Sequence, residues 1–374
     1  YWSADVCSSD LFITGVAGFL GSHLADRMLE LGHEVSGNDT LIGGYLDNVQ
    51  ARVKFYTTDC CDYDSMLEHI RGSDIVIHCA ATAHEGLSVF SPNFITKNIF
   101  QASVSVISAS IAAKVKRFVF CSSMARYGNQ PTPYTESQTP KPEDPYAVAK
   151  VAAEDVLKLL AETHGMDWNI AIPHNIVGPR QRYDDPFRNV MSIMINRNLQ
   201  GKPSIIYGDG LQTRCFSYVD DCVYCLEQLA LNPEIKSETV NIGPDEEYIS
   251  INQLYRLLSN KLKFNLEPIY LEDRPNEVKE ATTDYIDENN TLKFWIAENI
   301  NFTQNSKDKI KTSKLFELYR ENNDNYKRIQ DFLSAMKFNK INTVAIGGYR
   351  YFVGITIKEQ EKEEDEFNLI QRIL

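Results

Sequence analysis

The sequence predicts an α/β fold built on a doubly wound parallel sheet, with a smaller α/β lobe after it. Two observations carry this prediction. From Leu11 to about Pro173, short apolar runs alternate with longer helical patterns, as strands do when helices cover both faces of a parallel sheet. After Pro173 the alternation gives way to loops rich in Pro, Arg, Gly and Asp with scattered elements, which indicates a second, smaller lobe.

The elements follow one another in a regular order. The strand-like runs of the first part are LFIT, HEVSGN, VKFYTT, DIVIHCAA, RFVFCSS and NIAIP. Helical patterns lie between them over FLGSHLADRMLEL, residues 65–70, residues 95–115 and DPYAVAKVAAEDV. The last of these has Asp144 as a helix cap and Pro145 at the first helical position. The second part carries VMSIMINRNL, SIIYG, CFSYVDDCVYCLEQLAL, ETVNIG and SINQLYRLLSNKL.

The sequence divides into four segments. Residues 1–10, YWSADVCSSD, have no periodicity and look like a translated sequencing adapter, so we expect a non-native leader. Residues 11–173 form the first domain, and residues 174–284 form mainly the second lobe. Residues 285–374 are rich in Asn, Lys and Glu, with helical patches and one strand-like run, INTVAIGGYRYFVGITI. This last segment has no assigned role.

The overall composition excludes several classes of partner. The 374 residues carry a net charge of −13 and no block of consecutive Lys or Arg, so we expect neither a nucleic acid nor an anionic membrane as partner. The longest weakly polar stretch is shorter than the roughly 20 apolar residues of a membrane span. No basic region precedes an apolar run at the N-terminus, so we expect a cytoplasmic protein without a signal peptide.

The eight cysteines do not form a recognisable framework. Several lie in apolar, strand-like runs, where thiols usually behave as small buried hydrophobic groups. Cys222 and Cys225 form a CxxC pair, but no second pair and no His cluster accompanies it. We therefore expect neither disulfides nor a bound metal.

The stretch FITGVAGFLGSHL carries the first functional signal. Gly15, Gly18 and Gly21 follow a predicted strand and open a helix, where small residues allow a tight turn and the approach of a pyrophosphate to the helix N-terminus. Asp39 ends the next strand, where a carboxylate accepts hydrogen bonds from ribose hydroxyls and repels a 2′-phosphate. The pattern favours a Rossmann-type site that binds NAD over NADP.

Tyr146 and Lys150 are four residues apart on the helix that begins at Pro145, and therefore lie on one face. A Tyr-x-x-x-Lys pair occurs in many helices by chance, so the pair alone does not establish chemistry.

Several further stretches together resemble the extended short-chain dehydrogenase/reductase family, in particular nucleotide-sugar 4-epimerases of the UDP-glucose 4-epimerase type. They are TGVAGFLGSHL, IHCAA, Asn98, CSSMARYG, PYAVAK, PHNIVGPRQ, YGDGLQTRCFSYVDD, NIGPDEEYIS and RPNEVKEATTD, and they span residues 11–284. The resemblance implies catalysis by Ser123, Tyr146 and Lys150, tightly bound NAD, a nucleotide-sugar substrate, and a homodimer formed through a helix bundle that includes the Tyr146 helix.

The resemblance also implies the remaining site residues. The cofactor-binding set is Gly15, Gly18, Phe19, Leu20, Gly21, Asp39, Asp59, Cys60, Ala80, Ala81, Asn98, Tyr146, Lys150 and Pro173. The substrate-binding set is His84, Ser122, Asn175, Arg180, Arg214, Arg274 and Ala281. His84 and Glu85 would either assist proton transfer and specificity or face water and backbone. A small residue at Ala281 would leave room for a 2-acetamido group.

The two residues after Ser123 narrow the reaction. Related 4,6-dehydratases carry an Asp-Glu pair there, decarboxylating relatives a Glu, and 3,5-epimerases a Cys, whereas this chain has Met124 and Ala125. Chemistry that needs only Ser, Tyr and Lys remains, which is C4 epimerisation through a transient 4-keto sugar or another 4-oxidoreduction. The alternative from a different class is a non-catalytic NAD-binding regulator of the same fold.

Overall fold

The computed structural model describes residues 9–131, 133–183, 189–244 and 248–271, together with short segments between residues 300 and 357. The described residues fall into two compact units, residues 9–271 and the segments from residue 300 onward.

The first unit alternates strands and helices. Its strands are β1 (Asp10–Thr14), β2 (Glu34–Asp39), β3 (Lys54–Thr57), β4 (Ile75–His78), β5 (Arg117–Cys121), β6 (Asp167–Pro173), β7 (Ile176–Val177), β8 (Ile205–Tyr207), β9 (Thr213–Arg214), β10 (Ser217–Tyr218), β11 (Glu238–Ile242), β12 (Ile249–Ser250) and β13 (Ile269–Leu271). Its helices are α1 (Phe19–Glu30), α2 (Tyr63–Ile70), α3 (Glu85–Ser88), α4 (Pro92–Thr96), α5 (Ala102–Ala112), α6 (Pro145–His164), α7 (Val190–Leu199), α8 (Val219–Leu231) and α9 (Ile251–Leu262). Short 3₁₀ helices cover Leu46–Asn48 and Met124–Tyr127, and a π-helical turn covers Lys97–Gln101.

Seven of these strands form one sheet in the order β3-β2-β1-β4-β5-β6-β11. Every neighbouring pair in it is parallel. The strand order reverses between β1 and β4, and in open α/β sheets ligands bind at this reversal, beyond the carboxyl ends of the strands. The predicted Rossmann-type doubly wound sheet is confirmed.

Both faces of this sheet are buried, which explains why its strands read as continuous apolar runs. All residues of β4 and β5 are buried. One hydrophobic cluster lies on the side of α1 and α8 and includes Leu11, Ile13, Leu24, Met28, Val219 and Leu226. The other lies on the side of α2, α5 and α6 and includes Phe12, Met66, Val76, Val106, Phe118 and Leu157.

The smaller lobe has its own core. Strand β8 pairs with β13 and β9 pairs with β12, and Met194, Ile206, Ile251 and Leu254 form a buried cluster between α7, α9 and this lobe's strands. Helix α8 packs in the hydrophobic cluster on the α1 side of the large sheet, and β11 pairs with β6 as the last strand of that sheet, so both lie outside the lobe. The domain boundary at residue 173 remains a prediction, and residues 219–242 mainly extend the large sheet.

The second unit contains antiparallel strands. They are β14 (Ile300–Phe302), β15 (Lys309–Lys311), β16 (Thr343–Ile346), β17 (Tyr349–Val353) and β18 (Ile355–Ile357). Strand β14 pairs with β18, and β17 pairs with both β15 and β16. The run INTVAIGGYRYFVGITI, predicted as one strand, contains the three strands β16, β17 and β18. The first two of them pair as an antiparallel hairpin.

At the N-terminus, the sheet begins one residue before the predicted boundary. Asp10 is the first residue of β1 and pairs with Glu34, and the Ser9 amide donates a hydrogen bond to His33 Nδ1 at 3.1 Å. No helix in the described part of the chain has the length and apolar character needed to cross a membrane.

Candidate functional site

The predicted site residues gather at one edge of the large sheet. Gly15 follows β1, Asp39 ends β2, Asp59 follows β3, Ala80 follows β4 and Ser123 follows β5. Because all these strands are parallel, their carboxyl ends meet at the same edge, and residues far apart in the sequence become neighbours there.

Two positions of the glycine turn after β1, Gly15 and Gly21, have no room for a side chain. Gly15 has φ +69°, and a Cβ atom on it would lie 2.9 Å from Ala80 Cα; a Cβ on Gly21 would collide with the Gly15 carbonyl oxygen. Gly18 caps α1 without any side-chain hydrogen bond to the helix, and Phe19 and Leu20 are its first half-buried residues. The first-turn N–H groups of α1 therefore have no side-chain cap, as a helix N-terminus that binds a pyrophosphate requires.

Asp39 lies beside this turn. Its carboxylate accepts hydrogen bonds from the Ala17 N–H at 3.2 Å and from the Leu41 N–H at 2.8 Å. Its Oδ2 atom is 4.0 Å from the position that a Cβ on Gly18 would take. Burial raises the pKa of Asp39, and hydrogen bonds from the backbone N–H groups of Leu41, Ala17, Thr40 and Gly18 oppose that rise. A carboxylate at the end of the second strand is the group that accepts hydrogen bonds from ribose hydroxyls in a Rossmann-type site, so turn and carboxylate together fit NAD.

The other residues predicted to bind the cofactor lie at the same edge. Asp59 is half-exposed, with Lys97 Nζ 3.8 Å from its carboxylate. Cys60 accepts a hydrogen bond from Asn38 Nδ2 at 3.3 Å, and burial raises the pKa of its thiol to about 12. Pro173 ends β6.

Asn98 lies in a π-helical turn that interrupts the helix predicted for residues 95–115. The turn covers Lys97–Gln101, between α4 and α5, and Asn98 Nδ2 donates a hydrogen bond to the Phe94 carbonyl at 3.0 Å. π-Helical turns of this kind are frequent at functional sites.

Tyr146 is packed between the loops that follow β4 and β5. Its side chain is 5% exposed and forms a cluster with Ile95, Ile99 and Ala149, against which Ala81 and Ala125 pack. Ala81 belongs to the loop after β4, and Ala125 lies two residues after Ser123. The structure therefore brings the predicted Tyr, the Ala80–Ala81 loop and the Ser123 segment together.

Ser123 is buried at the end of β5, where it caps the 3₁₀ helix that follows. Its Oγ atom accepts a hydrogen bond from the Ala125 N–H at 3.2 Å. The contact fixes the hydroxyl oxygen on the segment that packs against the Tyr146 cluster.

Lys150 places a buried positive charge at the end of β5. Its Nζ atom donates a hydrogen bond to the Cys121 carbonyl at 2.7 Å and lies 4.8 Å from the centre of the Phe120 ring. Burial lowers the pKa of Lys150 to about 8, against the opposing effects of Cys121, Cys79 and Glu154. Lys150 is therefore mostly protonated at neutral pH.

A buried polar network behind Ser123 was missed by the sequence analysis. Arg126 Nη2 donates to Glu154 Oε2 at 3.1 Å, with both side chains almost fully buried. The Ser122 hydroxyl donates to the other oxygen of Glu154. Glu154 lies one turn after Lys150 on α6, so the network fixes the Ser123 segment on the helix that carries Tyr146 and Lys150. The sequence hints at this network only through the position of Glu154, which follows Lys150 by four residues and so lies on the same side of the helix.

A second buried network surrounds His78, which ends β4. The Ala80 N–H donates to Thr14 Oγ1 at 3.0 Å, Thr14 Oγ1 is 2.7 Å from His78 Nδ1, and His78 Nε2 is 3.0 Å from Ser103 Oγ. Burial, with the charge of Lys150, lowers the pKa of His78 to about 3. A neutral His78 links the glycine turn, the loop after β4 and α5.

The residues predicted to bind substrate have diverse surroundings. The buried Ser122 hydroxyl donates a hydrogen bond to Glu154, and a role for Ser122 at a substrate stays a prediction. Arg180 forms a 2.7 Å ion pair with Asp26 of α1, so its guanidinium is engaged within the protein. Asn175 Nδ2 donates to the Cys215 carbonyl at 3.0 Å.

Arg214 is exposed on β9, and His84 is buried at the start of α3. Arg274 and Ala281 lie outside the described residues.

Comparison with known proteins agrees with this geometry. Residues 11–243 match the NAD dependent epimerase/dehydratase family. A putative UDP-glucose 4-epimerase from Methanocaldococcus jannaschii is 33% identical over 274 residues, which cover 72% of this chain and 87% of the relative. The crystal structure of UDP-glucose 4-epimerase with UDP-glucose from Thermotoga maritima is 31% identical, with a TM-score of 0.68, and covers 72% of this chain and 87% of that one.

A third comparison concerns the cofactor. The UDP-glucose 4-epimerase of Thermus thermophilus, solved in complex with NAD, is 27% identical with a TM-score of 0.67 and covers 72% of this chain and 88% of that one. Fold, site and similarity define an extended short-chain dehydrogenase/reductase with a Rossmann-type sheet. This chain belongs to the NAD dependent epimerase/dehydratase family, and its cofactor is NAD.

The cap of α6 provides a first test. Asp144 Oδ1 accepts a hydrogen bond from the Ala147 N–H at 2.9 Å, and Asp62 Oδ1 caps α2 in the same way at 3.2 Å. We expect Asp144→Ala and the control Asp62→Ala each to lower the free energy of unfolding by about 0.5–2 kcal/mol in urea titrations. Only Asp144→Ala should also lower NAD affinity, because it loosens the turn that carries Tyr146. Equal NAD affinity in both variants would contradict this role.

The burial of Lys150 provides a second test. Its folded-state pKa is lowered from 10.5 to about 8, so between these pH values the unfolded chain binds a proton that the folded chain does not. The free energy of unfolding of the NAD-free protein should therefore rise with pH across this window, relative to Lys150→Met, by about 3 kcal/mol in total. Urea unfolding of both proteins measures the difference, and a constant difference across the window would contradict the buried charge.

Proposed function

We propose that this chain is a nucleotide-sugar 4-epimerase, which inverts C4 of a UDP-linked hexose of the Glc/Gal or GlcNAc/GalNAc type through a transient 4-keto sugar. The observation that carries the proposal is the position of Tyr146, buried against the segments after β4 and β5. Lys150 lies one helical turn away, with its charge fixed at the end of β5.

Tyr146 acts as the base that takes the proton of the C4 hydroxyl. A Tyr hydroxyl has an ordinary pKa near ~10, and a neighbouring opposite charge lowers a pKa by roughly 1–3 units. Lys150 supplies that charge, and Ser123 Oγ, oriented by the Ala125 N–H, shares the substrate hydroxyl. The glycine turn and Asp39 would hold NAD, which would supply the acceptor for the C4 hydride and the donor that returns it to the opposite face of the sugar.

The surroundings of Ser123 favour epimerisation over elimination or decarboxylation. Met124 and Ala125 follow it and carry no proton donor or acceptor in their side chains. The nearby Glu154 is held by Arg126 and Ser122, so its carboxylate has its hydrogen-bond partners inside the protein. Apart from Tyr146, therefore, no side chain at positions 124 and 125 could act as a general acid.

The substrate class rests on the relatives, two of which are UDP-glucose 4-epimerases with solved structures. A diphosphate suits the exposed Arg214, because a guanidinium binds phosphate oxygens in a bidentate manner. Arg274 and Ala281 keep their predicted roles as a nucleotide contact and as a small residue that admits a 2-acetamido group.

The proposal is tested by incubating the purified chain with UDP-glucose or UDP-N-acetylglucosamine and no added NAD. We expect the C4 epimer to form without a net change in NADH absorbance. Tyr146→Phe should slow turnover by about 10²–10⁴-fold, whereas the control Tyr63→Phe, on the surface of α2, should leave it unchanged. Stoichiometric NADH would indicate a 4-oxidoreductase, and an inert protein with bound NAD would indicate a regulator.

We also propose that the protein is a homodimer that pairs through α4 and α6. Exposed apolar side chains mark this face, with Phe94 on α4 and Val148 and Leu159 on α6. A groove of about 540 Å³ runs between the two helices and is lined by Phe100, Val148 and Ala152 among others. A second copy of α6 would bury this apolar surface.

Introducing one charge into this face tests whether it forms the dimer interface. Val148→Glu should convert the dimer to a monomer, as measured by size-exclusion chromatography with light scattering, because a carboxylate would be buried without a partner. Leu257→Glu, at a similarly exposed position on α9, should remain dimeric. A dimer that survives Val148→Glu would rule out this face.

A further inference from the structure

Two cysteines lie side by side at the carboxyl edge of the sheet. Cys79 follows β4 and Cys121 ends β5, and they come directly after the paired residues His78 and Phe120 of these neighbouring strands. Their Sγ atoms are 3.5 Å apart. Both thiols are free, and neither has a role in the proposed reaction.

The surroundings of this pair favour thiolate chemistry on Cys121. The thiol of Cys79 hydrogen-bonds to Cys121 and lowers the pKa of Cys121, and the charge of Lys150 lowers it further against the effect of burial. The pKa of Cys79 is raised by the same hydrogen bond and by burial. Cys121 is buried and Cys79 is half-buried, so a small oxidant would approach the pair from the side of Cys79.

We propose that Cys79 and Cys121 are a redox modification site, which a hydroperoxide converts to a disulfide next to the Lys150 anchor. The Cys121 thiolate attacks one peroxide oxygen; the O–O bond breaks, the Cys121 sulfenic acid forms, and the other oxygen leaves as an alcohol or water after taking a proton. The Cys79 sulfur then attacks the Cys121 sulfur, the S–O bond breaks, and water leaves with the Cys79 proton. The two cysteines lose two electrons, and the peroxide gains them.

Formation of this bond would alter both the contact that holds Lys150 and the loop that packs against the glycine turn. A disulfide holds its sulfurs about 2.0 Å apart, so the two sulfurs must approach each other from the observed 3.5 Å, which reorients both side chains and strains the strand ends that carry them. The Cys121 carbonyl holds Lys150 Nζ, and Cys79 precedes Ala80, against which Gly15 packs. The bond therefore shifts the Lys150 anchor and the glycine turn, while a thiol reductant reverses it.

The test uses the full chain treated with hydrogen peroxide. Peptide mapping without reductant should yield a Cys79–Cys121 linked peptide, lighter by two hydrogen atoms, that dithiothreitol removes. In parallel, NAD affinity should fall, and under the proposed function turnover should fall by up to about 100-fold, as a misplacement of about 1 Å can cause. The loss of turnover rests on the proposed function, but the linked peptide and the NAD affinity do not.

Variants separate this pair from the other thiols. Cys79→Ala and Cys121→Ala, each compared with its own reduced state, should keep their NAD affinity after peroxide. Cys225→Ser, on α8, should lose affinity as the unsubstituted chain does. The proposal is overturned if no Cys79–Cys121 peptide forms, if Cys121 links instead to Cys222, or if Cys79→Ala and Cys121→Ala both lose NAD affinity as the unsubstituted chain does.

Discussion

The hydrogen bond from the Lys150 ammonium to the Cys121 carbonyl is the contact on which the rest of the site depends. It joins α6 to the end of β5 and keeps a positive charge inside the protein, where burial opposes it strongly enough to lower the pKa of Lys150 to about 8. The Phe120 ring and the Cys121 carbonyl stabilise this buried charge. Tyr146 is one turn earlier on the same helix, so whatever fixes Lys150 also fixes the phenol.

The carboxyl edge of the sheet gathers the other parts around that contact. Two buried networks support it from opposite sides. Glu154 links the Ser122 hydroxyl and Arg126 to α6, and His78 links the loop after β4 to Thr14 and Ser103. Buried polar groups are stable only when they are hydrogen-bonded, so each network holds its segments in one arrangement. The two networks thus tie the segments that follow β4 and β5 to the neighbouring helices.

The features that could be predicted from the sequence are those encoded locally. The glycine turn, the carboxylate at the end of the next strand and the Tyr146–Lys150 spacing each depend on residues of one strand or one helix, and the structure has them at the expected places. The resemblance to the family added Ser123, which no local pattern marks. The parallel sheet with helices on both faces followed from the alternation of apolar and helical patterns, whereas the order of its strands came from the structure.

The features that were missed arise from contacts between distant residues. The pairing of Arg180 with Asp26 joins residues of two different segments, and so does the pairing of Arg126 with Glu154. The π-helical turn at Lys97–Gln101 leads into α5, where Ser103 contacts His78 of a distant strand. The two thiols meet only because β4 and β5 are neighbours in the sheet. None of these follows from spacing along the chain.

The proposed function requires that one hydride leaves C4 of the sugar and returns to the same carbon. Incubation with UDP-glucose labelled with deuterium at C4, followed by nuclear magnetic resonance of the products, tests it most directly. We predict UDP-galactose that keeps its deuterium at C4. A product in which solvent hydrogen has replaced the label, or one inverted at another carbon, would contradict the account.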